Sequence, residues 1–102
     1  MDPIAAVADP TRRRIVESLA RGALSSGEIA SRFSITAPAI SQHLKALRAA
    51  RLVTVRAAAQ RRIYELDPTG IDAVADWISD IRRFWAGRLD ALEAQLKENG
   101  DG

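Results

Sequence analysis

Four polar residues, Ser41, Gln42, His43 and Lys45, are interleaved with three apolar ones, Ile40, Leu44 and Leu47. The apolar residues recur at i, i+4 and i+7, so on a helix they stack on one face and turn toward a core. Gln42 and Lys45 then point away from that core, on the side shared by Pro38 and Ala49, while Ser41 and His43 lie on its flanks. An outward glutamine can pair in bidentate fashion with adenine N6 and N7, and an outward lysine suits a phosphate or a guanine. The small residues Ala37 and Ala39 allow close approach to a groove floor. The chemistry of this segment is recognition rather than bond making.

The rest of the chain supports that division. His43 is the single histidine, and it has no Cys, His or carboxylate three or four residues away, so it reads as a structural or DNA-facing residue near a helix-helix junction. No Ser/His/Asp order, Cys/His pair, phosphate-cradling glycine loop or metal-ligand spacing is present. Neither an enzyme nor a cofactor is expected. Zero cysteines exclude disulfides and thiolate metal sites. Asp76, Asp80 and Asp90 are among the carboxylates of a late segment without histidine, and they are expected to be solvated, so no metal site is assigned.

Charge is divided unequally along the 102 residues. The net charge of +2 combines 11 Lys or Arg against 5 Asp or Glu up to Leu66 with 4 against 8 from Asp67 onward. A basic first part is the electrostatic footprint of a surface that meets nucleic-acid phosphates, and an acidic second part is repelled by them. No apolar run approaches the roughly 18 residues of a membrane span, so a soluble, cytoplasmic location is expected.

Several elements must position the recognition segment. Asp2-Pro3 and Asp9-Pro10 each pair an N-cap with a proline, giving a short first helix to about residue 8 and a second over 10–21, closed by Gly22. In the second, Arg12, Arg13 and Arg14 are divided between backbone contact and a charged face with buried stems. Ser25 and Glu28 have capping-box spacing and open a short helix carrying Leu24, Ile29, Ala30 and Phe33. Thr36 caps the recognition helix, 37–50, with Pro38 in its first turn. Two helices joined by three or four residues outline a helix-turn-helix.

The period then falls to two. Val53 and Val55, then Tyr64 and Leu66, alternate in a two-stranded hairpin, a wing over 53–66 bearing Arg56, Arg61 and Arg62. Its tip, 57–61, has no Gly, Asn or Asp, so a longer, mobile tip is expected in place of a tight primed turn. Residues 67–70, Asp-Pro-Thr-Gly, read as a turn. From Ile71 the helical period returns through Val74, Ile78, Ile81, Trp85, Leu89, Leu92 and Leu96. Part of this seam can pad the chain's own core; the rest is most simply buried against a second copy. Trp77, Phe84 and Trp85 are core or dimer anchors, with a ligand-pocket lining as the alternative. The expected fold is mainly α with a small β-hairpin, a winged helix-turn-helix in the order α-α-α-α-β-β-α. One domain spans 1–98, with DNA-binding core and wing at 1–66, a dimerisation helix region at 70–97 and a flexible tail at 99–102.

Asp9-Pro10-Thr11-Arg12-Arg13-Arg14-Ile15, Gly27-Glu28-Ile29-Ala30, Ser41-Gln42-His43-Leu44-Lys45-Ala46-Leu47-Arg48, Leu52-Val53 and Arg62-Ile63-Tyr64-Glu65-Leu66 resemble the arsenic-repressor (ArsR) family of bacterial winged-helix regulators, over roughly residues 3 to 96. The resemblance implies a homodimer formed by the first and last helices, bound to an inverted-repeat operator in double-stranded DNA and released by a small-molecule effector. The DNA-contact set is then Thr36, Pro38, Ala39, Ser41, Gln42, His43 and Lys45 with Arg56, Arg61, Arg62 and Arg12. The dimer set is Ile4 and Val7 with Ile78, Ile81, Trp85, Leu89, Leu92 and Leu96. Metal-sensing members carry a Cys-x-Cys pair in the third-helix region or Asp and His ligands on the last helix, and this chain has no Cys and no His after His43. The stretch from Arg82 to Glu93 resembles a metal-free branch, often paired with small-molecule-binding proteins of START-like fold. The family has glycine where Arg51 stands and another at the wing tip. If Arg51 is left-handed it costs about 1 kcal/mol relative to glycine; otherwise the cap differs. A winged-helix module that binds a protein partner without reading DNA is the alternative.

Overall fold

Aspartate caps set the first two helices in the computed structural model, which describes residues 1–100. Asp2 accepts from the amide of Ile4 at 2.8 Å and opens α1 (Pro3–Ala6); Asp9 accepts from Arg12 at 2.9 Å and opens α2 (Pro10–Leu19). Both carboxylates satisfy amides that have no partner inside the helix. Helix α2 ends two residues before the expected position, with Ala20 as its cap and Gly22 at φ 149 beyond it.

Leu24 and Ser25 form a short strand, β1, ahead of α3 (Ser26–Arg32). Ser25 belongs to both: it pairs in the sheet and also closes the capping box, its Oγ accepting from Glu28 at 3.1 Å while its own N–H donates to the Glu28 carboxylate at 3.0 Å. Leu24 and Phe33, expected inside this helix, flank it instead. Thr36 caps α4 (Ala37–Ala49), accepting from Ala39 at 3.3 Å.

The end of α4 answers the question posed by Arg51. Arg51 is left-handed at φ 58, its N–H donating to Arg48 and the next N–H, of Leu52, donating to Leu47, both at 3.0 Å. This is the Schellman pattern, with Leu47 and Leu52 fully buried beside it. The cap is the usual one and the arginine tolerates the strain. Its carbonyl accepts from Gly70 at 2.8 Å. A Cβ on Gly70 would lie 2.6 Å from the Arg51 carbonyl carbon, so only glycine lets the next helix begin so close.

Strands β2 (Val53–Ala58) and β3 (Arg61–Leu66) pair antiparallel from Val53↔Leu66 to Ala58↔Arg61. The other edge of β3 takes β1, with Leu24↔Tyr64 and Ser25↔Ile63, so the sheet has three strands in the order β1-β3-β2 and not the two expected. A two-residue strand has no periodicity to read. The long wing tip is also corrected: Ala59 and Gln60 alone close the hairpin, Ala59 at φ 58. Positive φ at the first central residue only is the sign pattern of a type II′ turn. The strand pairing imposes a conformation that costs alanine about 1–2 kcal/mol.

Helix α5 spans Pro68–Gly100. The turn expected at 67–70 is its first turn: Asp67 caps it by accepting from Thr69 at 3.0 Å, and Pro68 takes the first helical position. Asn99 and Gly100, placed in the tail by sequence, lie within α5; residues 101 and 102 fall outside the described residues. The core gathers Ile15, Leu19, Leu24, Ile29, Phe33, Ile40, Leu44, Leu47, Leu52, Val53 and Tyr64 between α2, α3, α4 and the sheet, with Ile71 and Val74 of α5 against it. Beyond Val74 the helix leaves this core and gives the molecule extents of 73 × 25 × 24 Å.

Candidate nucleic-acid interface

The residues expected to face DNA sit where the helical period puts them. Ile40, Leu44 and Leu47 are buried, which turns Pro38, Ser41, Gln42, Lys45 and Arg48 outward along α4. Gln42, Ser41 and Lys45 make no hydrogen bond or ion pair within the described residues, so their polar groups are available to a partner. Thr36 has its hydroxyl engaged in capping, and Ala39 is half-buried.

His43 is half-buried, its Nδ1 3.9 Å from Oδ2 of Asp9, too far for a hydrogen bond but close enough for an electrostatic contact. The Asp9 carboxyl is held below its ordinary value of 3.8, first by the Arg12 amide and then, against a smaller desolvation effect, by the charges of His43 and Arg12. A carboxylate absent from the local sequence around His43 thus reaches it through the fold, linking α4 to the cap of α2.

The wing brings Arg56, Arg61 and Arg62 to one end of the molecule. Arg56 shares its charge with Glu65, Nε to Oε1 3.6 Å, while Arg61 and Arg62 have no ion-pair partner within the described residues. Arg12 is not among these residues. Its Nε donates to the Ala6 carbonyl at 2.7 Å, and Arg13 donates to the carbonyls of Val7 and Ala8 at 3.1 and 3.2 Å. Both arginines close the open C-terminal end of α1, a role that sequence reasoning did not weigh. Arg14 lies over the Phe33 ring, 5.3 Å from its centroid.

A cleft of about 310 Å³ runs between α3, α4 and β3, lined by Ser26, Gly27, Ala30, Ala37, Ile40, Ser41, Leu44, Arg62 and Tyr64. Sequence reasoning passed over Ser26 and Tyr64. The available signal was the second serine of the Ser25-Ser26 pair and the single tyrosine, whose hydroxyl must find a partner or water at the edge of the core. Among the described residues no group of three or more His, Cys, Asp or Glu side chains comes together. No helix among the described residues is long and apolar enough to cross a membrane.

Residues expected to pair two copies fall in two groups. Ile4 and Val7 are half-buried on α1, which packs against α5 of the same chain. Ile78, Ile81, Trp85, Leu89, Leu92 and Leu96 are exposed, from 44% at Ile78 to 63% at Leu96, on the part of α5 beyond the core.

Comparison with known proteins places this geometry. Residues 9–55 match the pattern of the bacterial regulatory protein, arsR family. The chain is 48% identical over 96 residues to the HTH-type transcriptional regulator Rv2034 of Mycobacterium tuberculosis, covering 94% of this chain and 87% of that protein. It is 36% identical to the transcriptional repressor SdpR of Bacillus subtilis over 72% of this chain and 81% of the other. A crystal structure described as "Possible transcriptional regulator for arsenical resistance" superposes with a TM-score of 0.71 at 39% identity, covering 93% of this chain and 96% of that one. With a recognition helix, a basic wing and relatives of this kind, the chain belongs to the ArsR family of DNA-binding transcriptional regulators.

Proposed function

We propose that the protein is a homodimeric repressor that binds an inverted-repeat operator, each copy laying α4 in the major groove and its wing on the adjacent backbone. The observation that carries this reading is the polar face of Ser41, Gln42 and Lys45 with the basic wing residues Arg61 and Arg62, all without a side-chain partner among the described residues. Gln42 reads a base edge, Lys45 and the wing arginines neutralise phosphates, and His43 holds the helix against Asp9. Relatives act in both directions, SdpR as a transcriptional repressor and HlyU of Vibrio cholerae as a transcriptional activator, and repression is proposed after the first of these. Release by a small-molecule effector belongs to the same reading as an implication of the family, and the lack of a metal-sensing site in it rests on the cysteine-free composition with its lone histidine.

Support for two copies comes from the spacing on α5. Ile78, Ile81, Trp85, Leu89 and Leu92 are separated by 3, 4, 4 and 3 residues, the same sequence of steps from either end. An antiparallel second copy therefore sets Ile78 against Leu92, Ile81 against Leu89 and Trp85 against its own counterpart, as a two-fold interface requires. The 4-4 step at Trp85 departs from the heptad toward the 11-residue repeat and locally unwinds a left-handed supercoil. Loss of the Gln42 side chain tests the base-reading role. Gln42→Ala costs about 1–3 kcal/mol on the preferred duplex and little on unrelated ones, measured by equilibrium titration. An equal loss on all duplexes would assign Gln42 to positioning instead.

A further inference from the structure

The cleft between α3, α4 and β3 holds four polar groups from three elements, and none has a side-chain partner among the described residues. Ser18 and Ser31 donate to carbonyls of their own helices, and Ser25 and Thr36 cap helices. The hydroxyls of Thr11, Ser34, Thr54, Thr69 and Ser79 face solvent or neighbours without a side-chain hydrogen bond among the described residues, so it is the buried Tyr64 that distinguishes the cleft. Ser26 and Ser41 make no such bond, and Arg62 has no ion-pair partner within the described residues. Tyr64 is only 5% exposed, yet its hydroxyl has no hydrogen-bond partner among the described residues. No fully buried polar side-chain atom among the described residues is left unsatisfied, so the hydroxyl belongs to the small surface Tyr64 keeps, and that surface lines the cleft.

A hydroxyl carried at the cleft surface by an otherwise buried ring, beside two serines and a guanidinium without an ion-pair partner among the described residues, describes a set of donors that can meet one acceptor. We propose that this cleft is a phosphodiester site: Tyr64, Ser26, Ser41 and Arg62 together hold one backbone phosphate of the bound DNA and thereby fix the height and tilt of α4 in the groove. The charge fits, because Arg62 supplies a cation and no carboxylate lines the cleft. Glu28, near the wing side of α3, keeps its carboxylate turned to the Ser25 amide. The arrangement also explains a tyrosine in place of phenylalanine at a position otherwise buried in the core, since the ring packs and only the hydroxyl is left over. This inference rests on the reading of the protein as a DNA binder.

The test uses the full-length protein and a duplex selected from a random-sequence pool, with each phosphate replaced in turn by an uncharged methylphosphonate. The wild type is expected to show a position in each half-site where replacement weakens binding about tenfold, the scale of one hydrogen bond to a charged group. Tyr64→Phe is expected to lose about the same on the unmodified duplex and to be indifferent to replacement at that position, with its thermal midpoint unchanged. Arg62→Gln is expected to lower the salt dependence by about one phosphate. Wild-type affinity in Tyr64→Phe, or losses that simply add at every phosphate, would overturn the site. Saturable binding of inorganic phosphate, seen as shifts of the Ser26 and Tyr64 resonances without any methylphosphonate coupling, would overturn the backbone as its source in favour of a free phosphate. A wild type that binds no duplex at all would overturn the functional reading itself.

Discussion

Arg51 and Gly70 show how one residue's strain determines another's identity. Arg51 stands left-handed where glycine is preferred, and its carbonyl is satisfied by the Gly70 amide, which no larger residue could bring so near. Arg51→Gly is therefore expected to raise stability by about 1 kcal/mol. Gly70→Ala is expected to lower it by about 2–3 kcal/mol, because the obstructing atoms are backbone and cannot rotate away. Urea unfolding of the two variants checks both signs. The left-handed alternative for Arg51 was implied by the family resemblance, but the demand on Gly70 was not, since it arises from the approach of two segments 19 positions apart.

Among the elements, those with strong local signals were legible and those formed by pairing were not. The Asp-Pro caps, the Ser25-Glu28 box and the Ile40-Leu44-Leu47 stripe all appear where periodicity and capping chemistry put them. Strand β1 and the tight wing turn depend on β3 as a partner, and no spacing within 24–25 or 57–61 announces them. The outward residues of α4 follow from its stripe, whereas the cleft needs β3 beside α3 and could not be read from either alone. Capping also sets an acid response. Glu28 is held below its ordinary value by the Ser25 backbone and side-chain hydrogen bonds, and Asp9 first by the Arg12 amide. A carboxylate with a lower pKa folded than unfolded contributes stability above its unfolded value and loses it as pH falls through the folded one. The protein is thus expected to weaken below about pH 4, near the ordinary values of 3.8 and 4.5. Glu28→Gln, which keeps the cap shape without the charge, should show a flatter acid limb in thermal melts between pH 5 and 3 on the order of these values.

At the scale of the whole molecule, the long helix sets the shape and points to the assembly. The radius of gyration of 19.7 Å exceeds the roughly 13 Å of a compact chain of 100 residues, because the 33-residue α5 reaches about 50 Å. An arm bearing Trp85 at 58% exposure and Leu96 at 63% is apolar surface that water disfavours. Trp85 lies outside the core cluster, so Trp85→Ala is expected to leave the winged domain folded while weakening self-association about thirtyfold or more, measured by sedimentation. A dimer with two recognition helices makes a specific demand on its DNA. The most direct test is selection of bound duplexes from a random-sequence pool. The enriched sequences are expected to carry two inverted half-sites with centres about 10 base pairs, or a multiple of that, apart. Enrichment of a single unrepeated site, or none, would contradict the account.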